Sequence, residues 1–350
     1  MYKRQDLDCG YDLTVHDYYL INGNPTLTDK NARFVLDGAA DFDERCAGHY
    51  PLPEGLGGED WRDNQRLLVE GADRVIFPSQ DAAQRFCRFF DVAQSVVAWH
   101  PDYQSSQPYP DPEWKRRSTG PLKVVVLGAI SREKGADVLE AVADQLADDP
   151  VEFHLLGYAY RALSERVVTH GPYENSEVYT QISAVDPDVV WFPALWPETY
   201  SYTLSIALHL GLPVVVPDIG AFRERVAARP LSVICPWDST TQDWTTFWRG
   251  LVDAGMSEVA DRTNAVPAPS PQDGAFYRGS YIDVAPARKG SFGADTAPDM
   301  AAKLTSGRPE LSRSERFLGR IWRLSRRPLA ARLISVVPFR LQRAIKRRFS

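Results

Sequence analysis

From residue 121 onward the apolar positions switch regularly between two periods. Short, nearly continuous apolar runs at 122–127, 151–156, 167–169, 188–192, 213–217 and 231–235 read as strands buried on both faces. The stretches between them, 134–146, 175–183, 201–210, 221–228 and 241–254, space their apolar residues as helices do. Strands alternating with helices at this interval predict a doubly wound parallel sheet. A thinner version precedes it, with strands at 11–19, 73–79 and 95–100 and helical stretches at 61–71 and 81–90. The Gly- and Asp-rich region 22–58 shows no clear period.

The spacers divide the chain further. Prolines at 108, 110 and 112 without apolar period mark 103–120 as a linker between 6–102 and 121–260. Six prolines and little apolar content between 261 and 310 predict a mostly disordered connection, in which 275–282 (AFYRGSYI) is the exception expected to dock. Residues 311–350 interleave arginines with apolar residues such as Phe317, Ile321 and Trp322 and read as short basic amphipathic helices. Residues 1–5 fit no pattern and lie outside the predicted fold.

Composition sharpens this division. At 350 residues, 44% hydrophobic and 25% charged, the chain has room for two domains and a tail. The net charge of −6 conceals an asymmetry: residues 311–350 hold 12 Lys+Arg against one acid, Glu315, so the tail is +11 and the rest −17. A basic tail with aromatics suits an anionic membrane surface, and no nucleic-acid partner is expected. Cys9, Cys46, Cys87 and Cys235 are widely spaced and suggest neither a disulfide framework nor a zinc site. With no apolar run of spanning length and no leader pattern, the expected location is the cytoplasm, peripheral to the inner face of the membrane.

Candidate chemistry collects where the strands of a parallel sheet end. Residues 196–220 (WPETYSYTLSIALHLGLPVVVPDIG) predict an acidic turn at Pro197, Glu198 and Thr199, then an apolar helix N-capped by Ser201 or Thr199. Gly211 is its C-cap signal, Pro213 stops it, and a strand follows. A helix N-terminus at a sheet edge is a natural seat for a diphosphate, with Glu198 one step outside it. The loop 128–135 (GAISREKG) offers Lys134 after the first strand of this sheet. No G-x-G-x-x-G follows residues 122–127 and no acid ends the next strand, so a dinucleotide oxidoreductase is excluded. Asp41/Asp43 and Asp186/Asp188 are metal-type acid pairs, the first in an acidic loop and the second at the wrong end of a strand.

These two segments resemble the donor-binding segments of the GT-B glycosyltransferases of family 4. Glu198, Ala207, Gly211, Pro213, Val214 and Val215 fall in register with the family's Glu-x7-Glu-Ala…Gly-x-Pro-Val-Val, while Ile206 stands at its second Glu. Gly128, Lys134 and Gly135 match the Gly-Arg-x4-Lys-Gly loop, with Ala129 in the place of its arginine. The resemblance covers about residues 11–260 and implies a GT-B-like α/β fold of two Rossmann-like domains, the first incomplete because nothing before Asp6 supplies its earlier strands. It implies Glu198 and the cleft histidine His16 as catalytic residues, with Lys134, Gly128, Ser201, Tyr202 and Thr203 at the donor phosphates. Gly157, Tyr173 and Ile206 fall in the nucleobase and ribose region. The activity implied is a retaining, metal-independent transfer from a nucleotide-diphosphate sugar, a co-substrate rather than a cofactor, to a glycan or lipid-linked acceptor in polysaccharide biosynthesis. Ile206 and Ala129 motivate the alternative of a non-catalytic nucleotide-sugar-binding protein.

Overall fold

The computed structural model describes residues 10–101, 109–114, 120–261, 276–277 and 281. The first part holds a parallel sheet of β1 (Asp12–Thr14), β2 (Arg74–Phe77) and β3 (Ser95–Val97) in that spatial order, with α1 (Tyr19–Asn22), α2 (Phe42–His49), α3 (Gly58–Val69) and α4 (Gln80–Phe86). The strand expected over 11–19 is only three residues long. Asp17 Oδ1 accepts from Tyr19 N–H at 2.8 Å and starts α1, and Tyr18 and Ile21 are then fully buried. Helix α2 lies inside the region without period, because Phe42 and Cys46 are its only buried residues and one i,i+4 pair is too sparse a signal.

The second part is a six-stranded parallel sheet: β4 (Leu122–Ile130), β5 (Val151–Ala159), β6 (Val167–Gly171), β7 (Val189–Trp191), β8 (Val214–Pro217) and β9 (Ser232–Cys235). Its spatial order is β6-β5-β4-β7-β8-β9, a doubly wound sheet that starts at its centre, runs to one edge, then crosses to the other side. The helices are α5 (Ala136–Gln145), α6 (Val178–Val185), α7 (Tyr202–His209), α8 (Ala221–Val226), α9 (Thr241–Ala254) and α10 (Met256–Asp261). Alternate residues of β4 serve opposite faces, as the two-residue period of a strand requires. Val124 and Val126 pack with Trp191 and with Trp244 and Trp248 of α9, and Val125 and Leu127 pack against α6, α7 and α8. Trp191 and Trp248 have no exposed surface, and burying a large apolar side chain contributes roughly 1.5–3 kcal/mol.

Strand β4 outruns its predicted end at 127. Gly128, Ala129 and Ile130 pair with Gly157, Tyr158 and Ala159, so the two glycines expected in loops lie inside the ladder. Both have left-handed φ, +100° and +134°, and a Cβ on Gly157 would come within 2.0 Å of the Gly128 carbonyl oxygen. The two parts share contacts: Ile219 is buried in the core of the three-stranded sheet, and Phe34 N–H donates to Leu195 O at 2.9 Å. The described linker residues dock on the second part, with Trp114 against the α5 and α9 side and Tyr109 edge-on to His209. The expected disorder of 261–310 and the tail 311–350 fall outside the described residues, apart from 261, where α10 ends, 276–277 and 281. There, in the stretch expected to dock, Arg74 lies over the Tyr281 ring.

Candidate functional site

Strands β4 and β7 are neighbours whose chains leave in opposite directions, and in such sheets a ligand crevice opens beyond their carboxyl ends. The loop after β4 carries Lys134 and the loop after β7 carries Glu198, and the two meet there, Nζ to Oε1 at 3.1 Å. The side chain of Glu198 is 9% exposed and that of Lys134 is 39% exposed, so the carboxylate is walled in while the ammonium faces outward. Glycines set this meeting. Gly135 (φ +84°) sits where a Cβ would fall 2.0 Å from the Pro193 carbonyl oxygen, drawing one loop onto the other. Gly220 (φ +63°) lies against the backbone of Glu198, whose carbonyl accepts from Ala221 N–H at 2.9 Å.

The start of α7 differs from its expected cap. Ser201 holds the N-cap position with φ 71° and ψ 89°, a left-handed conformation, and its side chain caps no amide. Its Oγ instead lies 3.3 Å from Thr203 Oγ1, while the other candidate, Thr199, donates its hydroxyl to His16 O at 2.7 Å. Holding a non-glycine residue there costs on the order of 1–3 kcal/mol. Arg225 of α8, 4% exposed, braces the turn: Nη1 donates to Tyr200 O at 3.0 Å and Ser201 O at 2.7 Å, and Nη2 to Ser205 Oγ at 2.8 Å. Its guanidinium carbon lies 3.9 Å from the Tyr200 ring centroid.

From the other sheet, the chain beyond β1 brings His16 to this place. Its exposed ring stacks on His100 with centroids 5.3 Å apart, and His100 stacks on Tyr202 at 5.7 Å and 6°. His100 is buried beyond the end of β3, and its carbonyl accepts from Tyr200 O–H at 3.0 Å. A column of three rings therefore joins the ends of the small sheet to the first turn of α7.

The remaining expected residues divide into two groups. Gly128, Thr203 and Tyr173 converge, since a Cβ on Gly128 would lie 3.0 Å from Thr203 Cγ2 and 4.0 Å from Tyr173 Oη. Burial raises the Tyr173 phenol above its ordinary value, and Gly157 backs this spot through Gly128. Ile206 stays out of the polar cluster and packs on the core beneath α7. Arg132 is tied to Asp137 and to the Lys30 carbonyl, each at 3.2 Å. Within the acid pairs, Asp43 makes two 2.8 Å bonds to Arg62, Asp186 ends α6 at φ 52°, and Asp188 accepts from Lys123 N–H. Among the described residues no three His, Cys, Asp or Glu side chains are grouped to hold a metal.

Sequence reasoning missed His100, Arg225 and the buried Glu133 next to Lys134. The available signal for His100 was its place at the end of a predicted parallel strand, whereas His16 was singled out by the family resemblance. As a chemical device the cleft presents one outward cation, one shielded carboxylate, the first turn of a helix and a ring column.

No family model matches this chain, and no curated protein matches it. Among solved structures it is similar to sucrose-phosphate synthase from Thermosynechococcus elongatus, with 16% identity over 60% of this chain and 57% of that one, TM-score 0.44. It is similar also to Anabaena HepE in complex with UDP and glucose, with 20% identity over 61% of this chain and 63% of that one, TM-score 0.45. A third is an S. aureus TarM mutant in complex with Fondaparinux, alpha-GlcNAc-glycerol and UDP, with 14% identity, 64% and 44% coverage, TM-score 0.41. The matched region spans less than two thirds of each of these chains. At these identities and scores the likeness is one of chain trace, and the α/β assignment rests on the strand order itself.

Proposed function

We propose that this chain is a GT-B glycosyltransferase that moves a sugar from a nucleotide-diphosphate sugar to a glycan or lipid-linked acceptor of polysaccharide biosynthesis, with retention and without a metal. The observation that carries the reading is the meeting of Lys134 and Glu198 at the switch point of the six-stranded sheet, beside the first turn of α7. In the reaction the bond from the anomeric carbon to the diphosphate oxygen breaks and its electron pair leaves with the diphosphate. The acceptor oxygen bonds to the anomeric carbon, and its proton passes to the departing phosphate oxygen. Lys134 and the amides of Ser201 to Thr203 stabilise the charge on the leaving group, and Glu198 stabilises the positive charge on the sugar. The diphosphate competes with Glu198 for the ammonium. His16 stands on the acceptor side, and Gly157 and Tyr173 face the nucleobase. No cofactor is required. The basic tail 311–350 takes the enzyme to an anionic membrane surface where a lipid-linked acceptor lies.

Calorimetric titration of the full chain with uridine, guanosine, adenosine and thymidine diphosphates tests this. One of them is expected to bind, about tenfold more weakly in Lys134→Ala, a loss of roughly 1.4 kcal/mol. Glu198→Gln is expected to keep that binding and to abolish sugar transfer. Absence of binding to all four overturns the reading. The second reading, a nucleotide-sugar-binding protein without turnover, is favoured by Ile206, whose side chain offers the ribose no acceptor. It is distinguished by binding without any consumption of donor sugar.

A further inference from the structure

Beside Lys134 stands Glu133, 7% exposed, and a chain of hydrogen bonds leads from it into the first part of the molecule. Glu133 Oε1 lies 3.2 Å from His49 Nε2 at the end of α2, and His49 Nδ1 lies 2.9 Å from Thr28 Oγ1. Thr28 Oγ1 is 2.7 Å from Thr26 Oγ1, which is 2.9 Å from Asn24 Oδ1. Asn24 and Thr28 have no exposed surface.

The direction of every bond in this chain is fixed by what each atom is able to do. The orientation of the Asn24 amide is settled: its Nδ2 donates to the carbonyls of Thr28 and Cys46 at 2.7 and 3.1 Å, and its Oδ1 accepts from Thr26 N–H at 3.0 Å. An amide oxygen cannot donate, so the Thr26 hydroxyl spends its one hydrogen on Asn24. Thr28 must then donate to Thr26, and with its own hydrogen committed it accepts from His49 Nδ1–H. On the far side the oxygen of an ionised Glu133 only accepts, so opposite a carboxylate His49 Nε2 carries a hydrogen as well. Both ring nitrogens are donors, which only the imidazolium provides.

We infer that His49 is held as an imidazolium and that its ion pair with Glu133 positions the Lys134 loop against the first part of the molecule. The groups near His49 in sequence fit that charge state. Cys46, one turn earlier on α2, has its thiol pushed up to about 12 by burial and stays neutral, and the Tyr50 ring lies 4.5 Å away. The loop is gripped on its backbone too, where Leu195 N–H donates to Glu133 O at 2.7 Å. Glu133 is thus a positioning residue for Lys134 and makes no contact of its own with a donor; this role in binding rests on the function proposed above, while the charge state of His49 does not.

Ring-nitrogen NMR on the full chain at pH 7.5 reads the charge directly. Two protonated nitrogens on His49 are expected; a single protonated nitrogen overturns the imidazolium. Glu133→Gln should lower the pH at which His49 titrates by about one unit or more, and an unchanged midpoint overturns the pairing. Positioning is read by amide exchange, expected to rise about tenfold or more across 131–136 in both Glu133→Gln and Thr28→Val while α9 stays protected. Unchanged exchange in both variants overturns it. In the same variants binding of uridine diphosphate should weaken about tenfold. If the unaltered chain fails to bind any nucleoside diphosphate, the proposed function falls, and the NMR and exchange results still decide the His49 assignment.

Discussion

Gly157 shows how much of the cleft depends on a missing side chain. A Cβ there would come within 2.0 Å of a backbone oxygen, which no rotamer relieves, and φ +134° is strained for any other residue. Gly171 shares the left-handed φ, +87°, with open space around it. Gly157→Ala is therefore expected to destabilise the protein by about 2 kcal/mol more than Gly171→Ala, because it adds displacement of β4 to the backbone strain. Urea denaturation of the two variants measures the difference; equal losses would mean that the close approach is not what matters. At this scale the sequence was informative where chemistry is tied to spacing. Lys134 and Glu198 were legible because each follows a recognisable strand and precedes a helix, and the structure brings them into contact. Arg225 was not, since an arginine in a short helix normally reads as a solvated face, and its value comes from carbonyls 24 and 25 residues away. Glu133 was hidden by its neighbour.

Helix α4 is capped from another part of the chain. Ser79 Oγ accepts from Ala82 N–H at 3.2 Å, and Glu224 of α8 accepts from the amides of Gln80 and Asp81 at 3.0 and 3.1 Å. A carboxylate at a helix N-terminus is favourable, yet burial dominates here and raises the Glu224 carboxyl above its ordinary 4.5, the two amides offsetting part of that rise. A raised folded-state value means that this group's contribution to stability is fully present below 4.5 and is lost as pH rises through the folded value. Relative to Glu224→Gln, the unaltered protein should therefore lose stability on going from about pH 4 to pH 7. The loss is roughly 1.4 kcal/mol for every pH unit that separates the folded value from the unfolded one. Paired thermal melts across that range check it, and a constant difference between the two proteins contradicts it. Element by element, the alternation in 121–260 was legible because both faces of every central strand are covered by helices. The first part was harder to read: its strands are three or four residues long, and its register is carried by loops such as 24–35 whose buried polar groups have no periodicity.

For the whole molecule, the separation of charge is the feature with the widest reach. With +11 on residues 311–350 and −17 elsewhere, the chain is expected to sediment with anionic vesicles and not with neutral ones, and to be released as salt shortens the screening length. Each basic residue near such a surface contributes about 1 kcal/mol, so partial engagement of the tail is enough. Equal binding to both vesicle types would contradict the expectation. The strand order carries a different consequence, one for synthesis on the ribosome. The core of the three-stranded sheet takes Ile219 from the loop after β8, and β4, translated first in its own sheet, gains its second flanking strand only when Val189–Trp191 has emerged. Domains generally fold amino-terminal first as they leave the tunnel. Here the core of the three-stranded sheet stays open until Ile219 has been made, so the emerging chain presents unfinished apolar surface to chaperones until that part of the second sheet is in place.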